Sequence, residues 1–285
     1  MVRDALCAAH GWAAEAVETV VIRTTGDRVQ DRALAEIGGK ALWTKELDRA
    51  LLAGEVDACV HSMKDVETVR PDSIAIAAML PRADARDRLI GADSIEALRP
   101  GAVVGTSSPR RRAQLLRLRA DLRIVLFRGN VDTRLAKLAA GEADATLLAA
   151  AGLDRLGRAS TGMPIPLDVM LPAPAQGAVG VEVRATDHVT FRTAAAISDV
   201  VTCYCVGAER GLLAALRADC HSPVAALASI DDTGGLVLEA ELLDEYGTAH
   251  VTGRATGEID EVLGPALAAD LLTRAPQSVR ALFAG

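Results

Sequence analysis

Short aliphatic runs alternate with amphipathic stretches through the first two-thirds of this chain, and that alternation confines it to a layered α/β architecture. Residues 19–23, 58–61, 74–79, 103–106, 124–127 and 145–148 read as strands, and residues 44–53, 109–119 and 131–140 read as helices. Two helix boundaries carry a mechanism. Ser108 can accept from an unpaired backbone N–H, and Pro109 takes the first helical position, where a missing N–H costs nothing. Asn130 can cap the next helix, and Gly141 can end it in a left-handed turn. The order of elements predicts substantially parallel sheets. Residues 171–177 (LPAPAQG) then read as a crossing segment. A helical stretch at 202–216 leads to apolar runs at 224–230, 236–243 and 250–256, separated by turn signals at 231–235 and 244–247. That pattern predicts an antiparallel three-stranded meander, with a last helix near 265–274 over one face.

The chain has 285 residues, room for two or three compact units of about 100–150 residues. Aromatic residues make up only 2%, so aliphatic side chains and alanine must fill the cores. No apolar run approaches the roughly 18 residues of a membrane span, and the N-terminus lacks the apolar region of an export signal. An odd cysteine count (Cys7, Cys59, Cys203, Cys205, Cys220) does not read as a disulfide framework and fits a reducing cytoplasm. The net charge of −7 argues against a general nucleic-acid binder, so any anion site must be a local concentration of positive charge.

Such a concentration lies between Thr106 and Lys137. Arg110, Arg111, Arg112, Arg117, Arg119, Arg123, Arg128, Arg134 and Lys137 face only Asp121 and Asp132. The junctions TSSPRRR and FRGNVDTR put hydroxyls, an amide, backbone N–H groups and arginines at helix N-termini, where an anion is favoured. Arg110, Arg111, Arg128 and Arg134 are the candidates for gripping carboxylates or phosphates; Arg117, Arg119 and Arg123 read as a solvated helix face. Stacking partners for single-stranded nucleic acid are lacking, since Phe127 is the one aromatic residue in this window.

Two further features carry chemistry. Residues 58–65 (ACVHSMKD) form an apolar strand ending in His61, Ser62, Lys64 and Asp65, where a carboxylate can stabilise a developing cation or relay a proton; an ordinary surface turn with a Lys–Asp pair fits as well. Cys220, flanked by Asp219, His221 and Pro223 in a loop, is the candidate functional thiol, while the other four cysteines read as small buried apolar residues. A zinc site from Cys203, Cys205, Cys220 and His221 lacks the usual spacing, and no metal is expected.

Taken in order, EIGGKALWTKEL (36–47), DACVHSMKDV (57–66), VGTSSPRRRAQL (104–115), FRGNVDTRLAKL (127–138), LLAAAGLDRLG (147–157), LPAPAQGAVGVE (171–182), AERGLLAAL (208–216) and ADCHSPVAALA (218–228) resemble the porphobilinogen deaminases. The resemblance implies three domains: 1–80 with 177–197, an inserted 81–176, and 198–285. The first two would resemble type II periplasmic-binding-protein lobes, and the third would be a small α+β domain with a three-stranded antiparallel sheet. It also implies a cytoplasmic, monomeric transferase of tetrapyrrole and heme biosynthesis. A dipyrromethane cofactor, tethered through a thioether to Cys220, would prime the condensation of four porphobilinogen units into hydroxymethylbilane with loss of ammonia. Asp65 matches the family's catalytic aspartate. Lys40, Lys64, Thr106, Ser107, Ser108, Arg110, Arg111, Arg128, Gly129, Asn130 and Arg134 match its cofactor contacts, and Arg155, Gln176 and Trp43 its substrate contacts. Family members begin with a strand and an arginine–serine loop that have no counterpart here, and Met1–Leu6 resembles the interior of the following helix. The implied consequence is a missing core strand and weak or absent turnover. The rival expectation is a two-lobed protein that holds a polycarboxylate without turnover.

Overall fold

The computed structural model describes residues 1–22 and 44–283. Helices α1 (Val2–His10) and α2 (Lys45–Leu52) precede β1 (Ala58–Ser62) and β2 (Ile74–Met79). The chain then crosses to a second sheet through β3 (Asp87–Ile90), β4 (Val103–Gly105), α3 (Pro109–Leu118), β5 (Arg123–Val125), α4 (Val131–Ala139), β6 (Ala145–Ala149), α5 (Ala150–Arg155) and β7 (Met163–Pro164). It returns as β8 (Val179–Arg184), which lies between β1 and β2. After α6 (His188–Ala195) and α7 (Val200–Leu216) comes a third sheet of β9 (Val224–Ile230), β10 (Leu236–Leu243) and β11 (His250–Gly257), followed by α8 (Leu263–Arg274) and α9 (Gln277–Arg280).

The predicted meander is present, with β10 antiparallel to both neighbours, and α7 and α8 bury Leu212, Leu216, Leu267 and Leu271 against Leu238 and Leu242. Both predicted caps form. Ser108 accepts from Arg111 N with Pro109 at the first helical position, Asn130 accepts from Thr133 N, and Gly141 takes φ 75° after the second helix.

Two expectations need correction. Parallel pairing is confined to β5–β4–β6, whereas β3, β7 and every described pair of the first sheet are antiparallel. The reason is β8: it re-enters from the second unit and slots between two strands that run the other way. The strand expected at 19–23 does not form over its described part. Val20 and Val21 are exposed, because apolar side chains make a strand only where an edge offers its backbone partners, and Arg23 lies outside the described residues.

One carboxylate ties the two crossings to the third sheet. Glu209 on α7, fully buried, accepts from Arg82 Nη1 (2.6 Å) and Nη2 (3.1 Å), from Ala175 N (2.5 Å) and from Ala228 N (2.7 Å). The segments after β2 and before β8 and the strand β9 are thereby held to α7.

Candidate active site

The strand β1 ends in a single 3-10 turn, Met63–Asp65. Met63 is 1% exposed, and its N–H donates to Ala178 O at 3.0 Å. Opposite it, Gly180 has no room for a side chain, since a Cβ there would lie 2.1 Å from the Met63 sulfur. This close fit leaves Asp65 exposed at the end of the turn. Burial pulls the Lys64 ammonium pKa down, Asp65 and Asp87 oppose that, and Arg111 and Arg134 add to it. Lys64 thus shares its surroundings with one acid of each α/β sheet and two arginines.

At the end of β4, Thr106 N donates to Val125 O (2.9 Å), and Ser108 N donates to Thr106 Oγ1 (3.2 Å). Ser107 and Ser108 are half-buried, and Thr106 is buried. The helix that follows turns two buried guanidinium groups inward onto Asp87: Arg110 Nη2 donates to Oδ2 at 2.8 Å and Arg111 Nη2 to Oδ1 at 2.7 Å. Gln176 Nε2 donates to the same Oδ1 at 2.8 Å and to Ala85 O at 2.7 Å. Burial works against the ionised Asp87, but the two arginines hold its carboxyl well below the usual range. Arg110 also donates to Gln114 Oε1 (2.9 Å) and Leu171 O (3.0 Å), and Arg111 to Leu147 O (3.1 Å). The Nε of each arginine is buried with no hydrogen-bond partner among the described residues. Sequence reasoning assigned these arginines to a ligand and overlooked Asp87. The acid looked like one more charge in ARDRLI, with no sign that strand β3 would bury it.

The second junction is built the same way. Gly129 sits at φ 108°, with no space for a Cβ beside Thr133, and its carbonyl accepts from Arg134 Nε at 2.9 Å. Burial and then Arg111 draw the Arg134 guanidinium down to about 10, Asp65 opposes, and Arg128 adds to the depression. Burial is the larger cause, and the part due to Arg111 and Arg128 is one that an incoming anion would relieve.

Cys220 occupies a turn that Asp219 organises. Asp219 Oδ1 accepts from His221 N (2.8 Å), and Asp219 N donates to Ser222 Oγ (3.2 Å). The residue is exposed as a whole. The protein around its sulfur nonetheless pushes the thiol up to about 12, with Asp219 and then Asp65 adding to the rise. At neutral pH the group is a thiol rather than the thiolate a nucleophile requires.

Asp65 is the common member of these environments, within electrostatic reach of Lys64, Arg134 and Cys220. Arg128 is buried nearby, and Asn130 is spent on its helix cap. Arg155 is exposed on the last turn of α5, and no described hydrogen bond joins it to the others. Lys40 and Trp43 lie outside the described residues. Two arginines expected on a solvated face are engaged: Arg117 Nε lies 2.9 Å from Glu241 Oε1, and Arg119 donates to Asp121 and to the carbonyls of Ile95, Glu96 and Leu98. Cys59 and Cys205 are buried as expected, but Cys7 and Cys203 are half-buried. Among the described residues no three potential ligands gather as a metal site.

Comparison with known proteins bears on this constellation. Residues 1–192 match the family described as porphobilinogen deaminase, dipyromethane cofactor binding domain, and residues 203–273 match porphobilinogen deaminase, C-terminal domain. The chain is 56% identical to the porphobilinogen deaminase of Sphingopyxis alaskensis, over 100% of this chain and 91% of that protein. It is 50% identical to that of Paracoccus denitrificans (96% and 89%) and 45% identical to the chloroplastic enzyme of Oryza sativa (90% and 74%). Among solved structures, the periplasmic VFT2 domain of Bordetella pertussis BvgS aligns at TM-score 0.37 and 15% identity over 69% of this chain and 73% of that one, a likeness too distant to build on. A bare binding module is not favoured by these matches. Matched over most of its length by the family's two domains, the chain belongs to the porphobilinogen deaminases.

Proposed function

We propose that this chain condenses four porphobilinogen units into hydroxymethylbilane with release of ammonia, primed by a dipyrromethane joined to Cys220 through a thioether. The observation that carries the reading is the presence of Asp65 in the surroundings of Cys220, Lys64 and Arg134 together. The donor set fits the cofactor. It offers a thiol at an exposed turn, a carboxylate for pyrrole N–H groups, and guanidinium groups for acetate and propionate side chains. Among those, Arg111 retains a buried Nε without a described partner. When bound, the dipyrromethane supplies the electron-rich pyrrole from which the product grows.

Asp65 holds pyrrole N–H groups at its carboxylate and stabilises positive charge that develops there. Lys64, whose ammonium is drawn down by burial, can give up a proton at Nζ more readily than a solvated lysine. Because the Cys220 sulfur keeps its proton at neutral pH, attachment requires an acceptor, and the Asp65 carboxylate is within electrostatic reach. Arg111, Arg128 and Arg134, with Lys64, Thr106, Ser107, Ser108, Gly129, Asn130 and Lys40, hold the cofactor. Arg155, Gln176 and Trp43 meet the substrate. For Arg110 the role is indirect: with Gln176 it fixes Asp87, which in turn orients Arg111. The chain divides into 1–80 with 177–197, 81–176 and 198–285, in keeping with sheet-to-sheet crossings between β2 and β3 and between β7 and β8. It acts as a cytoplasmic monomer.

Intact mass spectrometry of the purified protein and of Cys220→Ser tests the assignment. The wild-type chain is expected to be heavier than its sequence by one dipyrromethane, and the variant to have its sequence mass and no turnover. A variant that keeps the adduct, or an active protein with no adduct, would sink it.

A further inference from the structure

Asp65 and Cys220 stand on connections of different sheets, so their spacing must be set by something that joins those connections. The segment after Asp65 runs from the 3-10 turn to β2 outside any described strand. Three successive carbonyls there, those of Val66, Glu67 and Thr68, accept from one side chain on α7: Arg210 Nη1 donates to Val66 O at 3.3 Å, and Nη2 to Glu67 O at 2.7 Å and Thr68 O at 3.0 Å. Glu182 and Glu67 lie in electrostatic reach of this guanidinium, but no described hydrogen bond joins them to it, and both accept from Arg70. Arg70 donates to Glu67, to Asp48 (2.5 Å) and to both oxygens of Glu182 (2.8 and 2.9 Å). A second strap lies beside the first, where Thr68 Oγ1 donates to Ala218 O at 3.1 Å. Ala218 is buried and lies two residues before Cys220. It follows directly on the left-handed cap of α7 at Arg217, φ 53°. The helix that carries Arg210 therefore ends in the loop that carries Cys220.

We propose that Arg210, assisted by Thr68, is a positioning residue that sets the Asp65 carboxylate against whatever Cys220 tethers. The inference rests on the reading of Asp65 and Cys220 given above. Arg210 does not touch substrate in this role. A planar fork with several donors suits three carbonyls in a row, and a lysine ammonium cannot span them in the same way. An error of about 1 Å in the placement of an acid can cost roughly 100-fold in rate without weakening binding.

The test uses the cofactor-loaded full chain with Arg210→Met, Thr68→Val and Thr68→Ser. Intact mass, steady-state kinetics and hydrogen exchange over residues 63–68 are the readouts. Arg210→Met should load cofactor normally, keep KM within about twofold, lose about 10- to 100-fold in kcat, and exchange faster at 63–68. Thr68→Val should lose about threefold in kcat, and Thr68→Ser should restore it. A loaded Arg210→Met with wild-type kcat overturns the proposal, as does a rise in KM that accounts for the whole loss. Should Arg210→Met not fold, unchanged kcat in Thr68→Val overturns it equally. Failure of the underlying assignment is separately visible as an adduct that survives Cys220→Ser.

Discussion

Two buried arginine clusters lie near the candidate site, and their charge balance separates them. Around Asp87, one carboxylate is shared by Arg110 and Arg111, with Lys64, Arg128 and Arg134 as neighbouring cations and Asp65 and Glu241 as the further acids. Around Arg70 the proportions are reversed. One guanidinium meets Asp48, Glu67 and Glu182, and His61 Nε2 lies 3.0 Å from Glu182 Oε2. Buried charge in excess of its partners is costly unless something supplies the balance. The first cluster keeps a surplus of cations, of which Lys64 and Arg134 lie in electrostatic reach of Asp65, and that suits a ligand rich in carboxylates. In the second the excess acid is met without a ligand, because Asp48 and Glu67 reach solvent and Arg210 lies in electrostatic reach of Glu67 and Glu182, and the cluster holds β8 and the segment after Asp65. Counting arginines does not distinguish a binding site from a brace; counting the acids they meet does.

The contrast can be broken most severely at Asp87. Asp87→Ala leaves two buried guanidinium groups without their common acid and should destabilise the protein by about 3–5 kcal/mol in denaturant unfolding. A loss under about 1 kcal/mol would mean that the arginines find other partners and that the surplus is not structural in origin. Glu182→Gln probes the closed cluster and has a pH signature. Burial opposes ionisation of Glu182, but His61 and Arg70 hold its folded pKa below the ordinary value. For a depressed carboxylate the stabilisation is fully present above the unfolded pKa and is lost as pH falls through the folded one. The variant should therefore cost about 2 kcal/mol at neutral pH, and the difference from wild type should shrink as pH drops below about 4. A gap that persists undiminished in acid would refute the ion-pair account. The smallest effect is expected away from both clusters, where Arg49 and Glu55 pair at 2.6 Å with both side chains exposed. Glu55→Ala should leave the melting temperature within about 1 °C, and a larger shift would show that exposed pairs count here as buried ones do.

Local signals were legible where they act on the backbone beside them. Ser108 with Pro109, Asn130 and Gly141 announced their helix ends, because a cap is satisfied within three or four residues of itself. Strand β8 is absent from the strands read off the sequence; it is buried on both faces, Glu182 included, and a charged residue inside a short apolar run gives no local sign of that burial. Its partners, Arg70 and His61, lie more than a hundred positions away in the chain.

The sequence by itself determined the α/β layering, the antiparallel C-terminal meander and, through motifs in order along the chain, the family, from which the proposed roles of Asp65 and Cys220 follow. Only the tertiary structure decided that Arg110 and Arg111 turn onto Asp87, that the surroundings of Cys220 raise its thiol further, and that Arg210 holds the carbonyls after Asp65. Periodicity and capping are short-range consequences of backbone geometry. The pairing of buried charges depends on which distant segments share a volume from which water is excluded, and no spacing within the chain encodes that directly.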